Sequence, residues 1–138
     1  MEEPEEKGYL RIAQIMELEA GAGNPGGYGM KSSSTYYNSV FSGENGTGGL
    51  LIIYGNNIIN NGNIKSNGSN GGEATSNDNI ASGGSSGAGS INIFFKETYV
   101  KVGSIVAKGG RIGNGGAGGD GTVTIGKILN GTFVKDEN

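Results

Sequence analysis

The chain of 138 residues contains no cysteine, no histidine and no tryptophan, and only two prolines. Without cysteine and histidine there are no disulfides, no zinc sites built from these residues, no thiol nucleophile and no catalytic relay through histidine. No apolar run approaches the roughly 20 residues of a membrane-spanning helix, so we expect no membrane insertion. The acidic start MEEPEEK also lacks the pattern of a signal peptide.

Charge is sparse and slightly acidic. The formal net charge is -3 at pH 7, and the isoelectric point is near 4.9. Nucleic acids and anionic membranes attract basic surfaces, so we expect no nucleic-acid partner. Carboxylates are few in the glycine-rich part of the chain, and nothing brings two of them together for acid–base cleavage of a sugar. The sequence therefore predicts a protein that is not an enzyme and has no cofactor.

Glycine dominates what is present. The chain has 30 glycines, 16 asparagines and 13 serines, whereas glycine averages roughly 7% of residues in proteins. Collagen is excluded because glycine does not fall at every third position and proline is rare. A disordered linker is disfavoured by five short blocks rich in β-branched and aromatic residues, which are typical of strands: residues 10–18, 50–59, 91–95, 99–107 and 122–134.

The blocks contain an internal repeat in which glycine precedes two aliphatic residues separated by one position. The four copies are Gly8-Tyr9-Leu10-Arg11-Ile12, Gly49-Leu50-Leu51-Ile52-Ile53, Gly89-Ser90-Ile91-Asn92-Ile93 and Gly121-Thr122-Val123-Thr124-Ile125. A second match follows in the two middle copies, where residues 61–68 align with residues 102–109. One such unit has too few apolar residues to bury alone, so stacking of successive units is the expected solution.

Stacking of these units predicts an all-β fold of the right-handed parallel β-helix (β-solenoid) type. The predicted core seam consists of the aliphatic residues on the inward face of each copy: Leu10, Ile12, Leu51, Ile53, Ile64, Ile91, Ile93, Ile105, Val123 and Ile125. We expect one solenoid domain over residues 8–134, an acidic tail over 1–7 and a polar tail over 135–138. Asparagines at the corners, such as Asn57, are expected to stack along the axis.

Glycine-rich excursions separate the strands at residues 21–48, 68–88 and 109–120. The runs 83–89 and 113–121 are nearly free of side chains, so their backbones could approach closely and pack in the manner of polyglycine II. Flexible loops are the competing interpretation. The three Asn-x-Ser/Thr sequons, at Asn45, Asn67 and Asn130, are all Asn-Gly dipeptides, so they predict tight turns and need no glycosylation to explain them.

The motifs resemble a known class of segment. They are GNPGGYG (23–29), GTGGLLIIYGNNIINNGNIKSNGSNGG (46–72), GAGSINIFF (87–95) and GGAGGDGTVTIG (115–126). They are similar to glycine-rich repeats of bacterial surface and phage tail-fibre-like proteins, which look like right-handed parallel β-helices of the pectin-lyase-like type. The resemblance covers about residues 20–134. It implies a stalk, an adhesive surface or an assembly module, and it supplies no catalytic motif.

Two candidate sites follow from single motifs. Gly115–Asp120 reads GGAGGD and matches the opening of the calcium-binding nonapeptide repeat, which makes Asp120 a candidate calcium ligand, although a solitary copy lacks half of its ligands.

Tyr36, Tyr37 and Tyr54 are amphipathic rings near Ser, Thr and Asn, and they are candidates for stacking on sugars. Capping of the open end of the stack, or a subunit contact, is the other explanation for the tyrosines.

The sequence therefore favours a structural or adhesive module located extracellularly, on a cell surface or on a virion. Unpaired strand edges at the ends of a short stack promote pairing with other chains, so a homo-oligomer or filament is expected. A module that binds a host glycan through its tyrosines, or a host surface protein, is the alternative.

Overall fold

The structure is a computed structural model, and it describes residues 9–12, 17–19, 29–30, 40–41, 48–72, 83–111 and 115–136. Among the first four of these ranges, only Leu10 has its side chain described. The described ranges form ten strands: β1 (Tyr9–Ile12), β2 (Glu17–Glu19), β3 (Gly29–Met30), β4 (Val40–Phe41), β5 (Leu50–Asn60), β6 (Asn63–Lys65), β7 (Ser90–Lys101), β8 (Ser104–Val106), β9 (Thr122–Leu129) and β10 (Thr132–Lys135). The described residues contain no helix, so the all-β prediction is confirmed.

The largest sheet has five strands in the order β1-β5-β7-β9-β10. Its strands are parallel except for β10, which is antiparallel to β9. Leu51 pairs with Ile91, and Ile91 pairs with Val123. Ile53 and Ile93 are likewise partners. The register of these three strands is the one expected from the aligned glycine–aliphatic motifs.

A second parallel sheet has the order β2-β6-β8. Ile64 pairs with Leu18 on one side and with Ile105 on the other. Here too, the pairing of β6 with β8 is the one that the second aligned segment predicts. Strands β3 and β4 form a separate antiparallel pair. Short β6 and β8 directly follow long β5 and β7, so each of these two units contributes one strand to each parallel sheet.

The core lies on the inward face of the two parallel sheets. Its buried apolar residues are Ile53, Ile58, Ile64, Ile91, Ile93, Phe95 and Ala107. Alternation along β7 explains the set, because every second residue of a strand faces the same side: Ile91, Ile93 and Phe95 are buried, and the residues between them are half-buried. Leu51, Ile105 and Ile125 pack partly buried against this cluster. The side chain of Ile12 is outside the described part of the chain.

Two residues of the predicted seam are exposed among those whose side chains the structure describes. Leu10 is 43% exposed and Val123 is 41% exposed. Leu10 lies on the first strand of its sheet, and no described strand lies beyond Thr122–Ile125 of β9. An inward side chain is covered completely when strands lie on both sides, as they do for Ile91 and Ile93, which are 0% exposed. The burial prediction was therefore wrong at these two positions, which lack a described strand on one side.

Leu10 also does not meet Leu51. Strand β1 pairs with the second half of β5, where Leu10 lies beside Ile58 and Ile12 beside Asn60. Alternation fixes the face that a side chain occupies, but it does not fix the register of a short strand along a longer one. The connection from β1 to β2, which pairs with β6, requires β1 to lie at the end of β5 that leads into β6.

Four glycine-rich segments hydrogen-bond to one another beside the sheets. They are residues 66–72, 83–89, 107–111 and 115–121, termed the first to fourth glycine segments. The second segment donates backbone hydrogen bonds to the first and fourth, and the fourth donates to the third. The third segment in turn donates to the second through Gly110 N–H and Ser86 C=O, at 3.0 Å. These described segments are therefore bonded parts of the fold, and the flexible-loop interpretation is wrong for them.

Contacts between the glycine segments recur every three residues. The second segment pairs with the first in antiparallel order, with bonds of 2.8–2.9 Å: Gly83 to Gly72, Ser86 to Ser69 and Gly89 to Ser66. The fourth segment pairs with the third at the same spacing and 2.9 Å: Gly118 to Gly110 and Gly121 to Ala107. Intervening N–H groups of the second segment turn to the fourth instead: Ser85 to Gly116 and Ala88 to Gly119. A period of three differs from the two-residue alternation of strands.

Glycine is required where these segments pass closest. A Cβ atom added at Gly118 would overlap the backbone of Ser86 and Gly87. At the adjacent Gly119, an added Cβ would meet no atom within 4 Å. The segments therefore pack backbone against backbone on one side while their other side stays open.

Asparagine side chains join successive units of the chain. Four of them accept hydrogen bonds from residues 41 positions later: Asn57 from Thr98 Oγ1 (2.7 Å), Asn63 from Ser104 Oγ (2.6 Å), Asn67 from Lys108 N–H (3.0 Å) and Asn70 from Arg111 N–H (2.8 Å). These bonds join the asparagines to hydroxyl and backbone N–H groups, and none of the four joins two asparagines as the expected stacking would. Asn57 is only 4% exposed, so its amide acts inside the fold.

The chain turns back after β9 through a tight hairpin. Asn130 and Gly131 have φ values of 49° and 76°, and two successive positive φ values are typical of the two-residue hairpin turn favoured by Asn-Gly. The turn predicted there is confirmed. Asn67-Gly68 makes no such turn, since Gly68 has no positive φ and belongs to the first glycine segment. Asn45 lies outside the described residues. Strand β10 reaches Lys135, one residue beyond the predicted domain end.

Candidate binding surface

The outer face of the five-stranded sheet, opposite to the core, carries the most exposed apolar side chains of β5. Leu50, Ile52 and Tyr54 alternate with inward residues, and they are 67%, 58% and 54% exposed. The same face is mainly polar on the neighbouring strands: Ser90 and Asn92 on β7, and Thr122 and Thr124 on β9. The outer face therefore changes from apolar on β5 to polar on β9.

Three aromatic rings cross one end of this outer face and form what we term the aromatic strip: Tyr54, Phe94 and Phe133. Tyr54 and Phe94 are direct partners on adjacent strands. The rings of Phe94 and Phe133 meet edge to face, with centroids 5.6 Å apart and an interplanar angle of 89°. The Phe133 ring covers Gly126, where a Cβ would overlap it. Lys96 Nζ lies 5.7 Å from the centre of the Tyr54 ring, within range of a cation–π interaction.

Hydroxyl and amide groups occupy the other end of the outer face. Thr122 Oγ1 and Asn92 Nδ2 both bond to Ser90 Oγ, at 2.9 and 3.0 Å. Beside them lies a shallow depression of ≈ 670 Å³, lined by Gly48, Leu50, Ala88, Ser90, Asp120 and Thr122. Glycine backbone, Leu50 and Ala88 line it together with two hydroxyls and one carboxylate, so the depression is open and of mixed polarity.

Asp120, the candidate calcium ligand, has both carboxylate oxygens engaged by nitrogen donors. Lys108 Nζ lies 2.8 Å from Oδ2, and Gly109 N–H donates to Oδ1 at 3.0 Å. The Lys108 hydrogen bond, followed by the one from Gly109, lowers the pKa of Asp120 below its ordinary value. Calcium takes six to eight oxygen ligands, and the described residues hold no group of three acidic side chains around a point. The arrangement does not fit a calcium site.

Tyr99 is the one described residue that buries a side-chain polar atom without a hydrogen-bond partner. Its ring stacks on Phe95, with centroids 5.7 Å apart. Asn60 lies beside the hydroxyl, but its amide is engaged elsewhere, accepting from Gly62 N–H and donating to Ser104 C=O. Burial raises the pKa of Tyr99. The hydroxyl is buried and its residue packs against the core, so it has no role on the outer face.

The structure brings together only part of the predicted sugar-stacking set. Tyr54 is exposed on the outer face, whereas Tyr36 and Tyr37 lie outside the described residues. Phe94 and Phe133 were missed. The pair Phe94-Phe95 carries a signal for this, because adjacent strand residues face opposite sides and one ring of the pair must point outward. The position of Phe133 depends on a hairpin whose register the sequence does not specify.

No helix among the described residues is long and apolar enough to cross a membrane. Comparison of the chain with models of protein families, with curated proteins and with solved structures finds no match. The functional assignment therefore depends on the geometry of the chain itself.

Proposed function

We propose that this chain is a structural and adhesive module, built as a right-handed parallel β-helix and displayed outside the cell or on a virion. Its role is to present a rigid surface that associates with copies of itself. The glycine-rich segments of bacterial surface and phage tail-fibre-like proteins that the motifs resemble support this class of function. So does the outer face, which carries hydrophobic, aromatic and hydroxyl groups in rows.

A single spacing supports the β-helix. In the second sheet, Asn63 pairs with Ser104, and its side chain bonds to the same residue, 41 positions later. The same separation of 41 residues recurs in the bond between Thr98 and Asn57 of the five-stranded sheet, and in the bond between Lys108 and Asn67 of the glycine segments. One coil of about this length that stacks on the next accounts for all three. Connections between parallel strands of a sheet are right-handed in about 98% of cases, which supports the proposed handedness.

The three-residue contact period supports a polyglycine-II-like layer as the third side of each coil. Polyproline-II backbones have three residues per turn and no internal hydrogen bonds, so every N–H is available to a neighbouring segment. Gly118 and Gly121 use theirs in this way, with bonds of 2.9 Å to Gly110 and Ala107. A layer with few large side chains gives the module a thin, stiff wall.

Self-association is assigned to the apolar part of the outer face. Leu50, Ile52 and Tyr54 form a row of exposed apolar groups on one strand, and clustered apolar surface marks association sites in soluble proteins. A second copy would bury this row against its own. The single observation that supports this role is that Leu50, Ile52 and Tyr54 all lie on the face of the sheet opposite to the core. The core is filled by other residues, so these three side chains are not needed there.

Sedimentation velocity over a range of concentrations tests the assignment. We expect the chain to form oligomers, and Ile52→Lys to reduce them to single chains by placing a charge in the apolar row. Val134→Lys is the matched control, because Val134 is 46% exposed and, as the neighbour of Phe133 on β10, faces away from the outer face, so its oligomers should persist. A single-chain boundary for the unsubstituted protein at high concentration would contradict self-association.

The aromatic strip supports a second candidate function, binding of a glycan. Tyr54 is exposed and stands beside Phe94, and rings of this kind stack on sugar faces. Affinity electrophoresis in gels that contain a polysaccharide tests it. Tyr54→Ala should abolish retardation, whereas Tyr54→Phe, which keeps the ring, should retain most of it. Equal retardation of both variants would exclude Tyr54 as a stacking residue.

A further inference from the structure

The C-terminal end of the stack is open over half of its outline. Beyond Thr98–Lys101 of β7 and Ser104–Val106 of β8, the described chain places no further strand. Val100 and Val102 lie at this edge and are 46% and 75% exposed. Such an edge presents unpaired backbone groups to another chain.

The N-terminal end has the opposite step. Strands β1 and β2 pair with Asn57–Asn60 of β5 and with β6. These are the positions that correspond to the open edges of β7 and β8. No described strand extends the sheet beyond Leu50–Gly55, the first half of β5. At the N-terminal end, β1 and β2 therefore project by one strand. At the C-terminal end, one strand is missing at the corresponding positions beside β7 and β8.

We propose that these two ends fit each other, so that β1 and β2 of one copy add to β7 and β8 of the next. The proposal rests on the β-helix of the proposed function, because only stacked coils of constant outline give matching steps. Within one chain, Leu10 pairs with Ile58, whose equivalent on β7 is Tyr99, and Leu18 pairs with Ile64, whose equivalent on β8 is Ile105. In the same register, Leu10 of the second copy would lie beside Tyr99, and its Leu18 beside Ile105. The same contact would cover Leu10, which is 43% exposed in the single chain.

Charge complementarity favours a second copy as the occupant. The projecting strand β2 carries Glu17 and Glu19, and the recessed edge is flanked by Lys101 and Lys108, both exposed, of which Lys108 also contacts Asp120. The added β2 would place its two acidic residues beside Ser104 and Val106, between these lysines. Opposite charges facing each other steer association and set its register.

Strand β10 blocks this addition in the chain as it stands. It lies beyond β9 over Gly126–Leu129, which is the level that β5 of an added copy would occupy. Residues Thr122–Ile125 of β9 are left without a described strand beyond them, so the obstruction is confined to the hairpin. The hairpin is therefore a removable stop on end-to-end growth, and its removal converts a self-limiting particle into an open-ended one. Head-to-tail contacts that do not close on themselves generate filaments.

Removal of β10 tests the proposal. The chain 1–129 is compared with the full chain, both carrying Ile52→Lys so that association through the outer face is absent and the two proposals fail independently. We expect the mass of the shortened chain to rise with concentration without a plateau, and elongated particles in electron micrographs. The full-length Ile52→Lys chain should stay at one mass.

A proline at the open edge provides the control. Ser104 N–H donates to Gly62, and Val106 C=O accepts from Ser66, so alternation turns the N–H of Ile105 to the open side. Proline is tolerated where its position faces away from the ladder. Ile105→Pro in the shortened chain should therefore retain the β-type circular dichroism spectrum and lose the growth.

Three results would overturn the proposal. One is a shortened chain that keeps its β spectrum but has the mass of the full chain. Another is growth that Ile105→Pro does not reduce. The third is loss of the β spectrum both in the shortened chain and in full-length Gly131→Pro, which opens the hairpin without deleting it, because β10 would then be an integral part of the fold.

Discussion

The strand region and the glycine region of this molecule fill space in opposite ways. In the strands, large side chains occupy the interior, and Ile58, Ile64, Ile91 and Ile93 are completely buried. In the glycine segments, the backbones themselves occupy it, and the carbonyls of one segment stand where a Cβ of the next would be. The first region is held by apolar burial, and the second by hydrogen bonds at close approach.

The difference teaches that substitution by alanine should destabilise both regions for opposite reasons, by removing volume from the strands and by adding it to the glycine segments. Truncation of a strand residue leaves a cavity, because interiors are close-packed. Addition of a single methyl group to a glycine segment produces an overlap that only backbone movement relieves. Chemical or thermal denaturation of matched pairs of variants in each region should separate the two modes.

The largest effect is expected in the strand region. Ile93→Ala should lower the free energy of unfolding by about 3.5 kcal/mol, since truncation of a fully buried isoleucine typically costs 2–5 kcal/mol. Val123→Ala, at an end of the same face and 41% exposed, should cost less than half as much. Urea denaturation measures both. Equal losses would contradict the account that strands on both sides create the burial.

The glycine region should give the next largest effect. Gly118→Ala places a Cβ against the backbone of Ser86, and we expect a loss of about 3 kcal/mol, at the upper end of the range for overpacking. Gly119→Ala is the matched control one residue away. Nothing lies within 4 Å of its added Cβ, so the variant should equal or exceed the original stability by about 0.5 kcal/mol through reduced chain entropy in the unfolded state. Similar melting curves for the two variants would exclude the close packing.

A smaller effect of opposite sign is expected at the buried hydroxyl. Tyr99→Phe keeps the ring that stacks on Phe95 and removes an oxygen that has no hydrogen-bond partner among the described residues. An unsatisfied buried polar group costs about 1–3 kcal/mol, so the variant should be more stable by about 1 kcal/mol. A loss of stability would show that the hydroxyl is satisfied in solution.

The smallest effect concerns acid stability in the glycine region. Lys108 and Gly109 lower the pKa of Asp120, so the contact stabilises the fold above the unfolded-state pKa of about 3.9 and loses that contribution as the pH falls through the lower folded-state value. The carboxyl is exposed, so screening keeps the gain small. Carbon NMR titration should show Asp120 titrating below an ordinary aspartate, and Lys108→Met should raise its pKa. An unchanged pKa in that variant would exclude the ion pair.

Much of the strand region was predictable because alternation is a strong local signal. The pattern at Leu51, Ile91 and Val123 fixed both the inward face and the pairing of three strands. The alternation pattern did not predict the partner of Leu10, because a four-residue strand can lie at more than one position along an eleven-residue partner. The pairing of β2 with β6 determines where β1 lies along β5. The alternation pattern also did not indicate which inward residues lack a neighbouring strand on one side and remain exposed.

The glycine region and the outer face were predictable only in part. A run of glycines shows that backbones can approach closely, but the partners depend on the three-residue period, which appears only when Gly83, Ser86 and Gly89 are seen facing the first segment. The outer face was anticipated through Tyr54 alone. Phe133 reaches it through a hairpin turn, and its place over Gly126 is a tertiary contact with no local signature.

Native-state hydrogen exchange tests the central claim most directly, namely that the glycine segments are hydrogen-bonded to one another as an integral part of the fold. The amides of Gly110, Gly118 and Gly121 donate backbone bonds of 2.9–3.0 Å. They should be protected to within about tenfold of the amides of β7, since groups in one cooperative unit exchange together. Exchange of these three amides at the rate of an unstructured chain, while β7 stays protected, would contradict it.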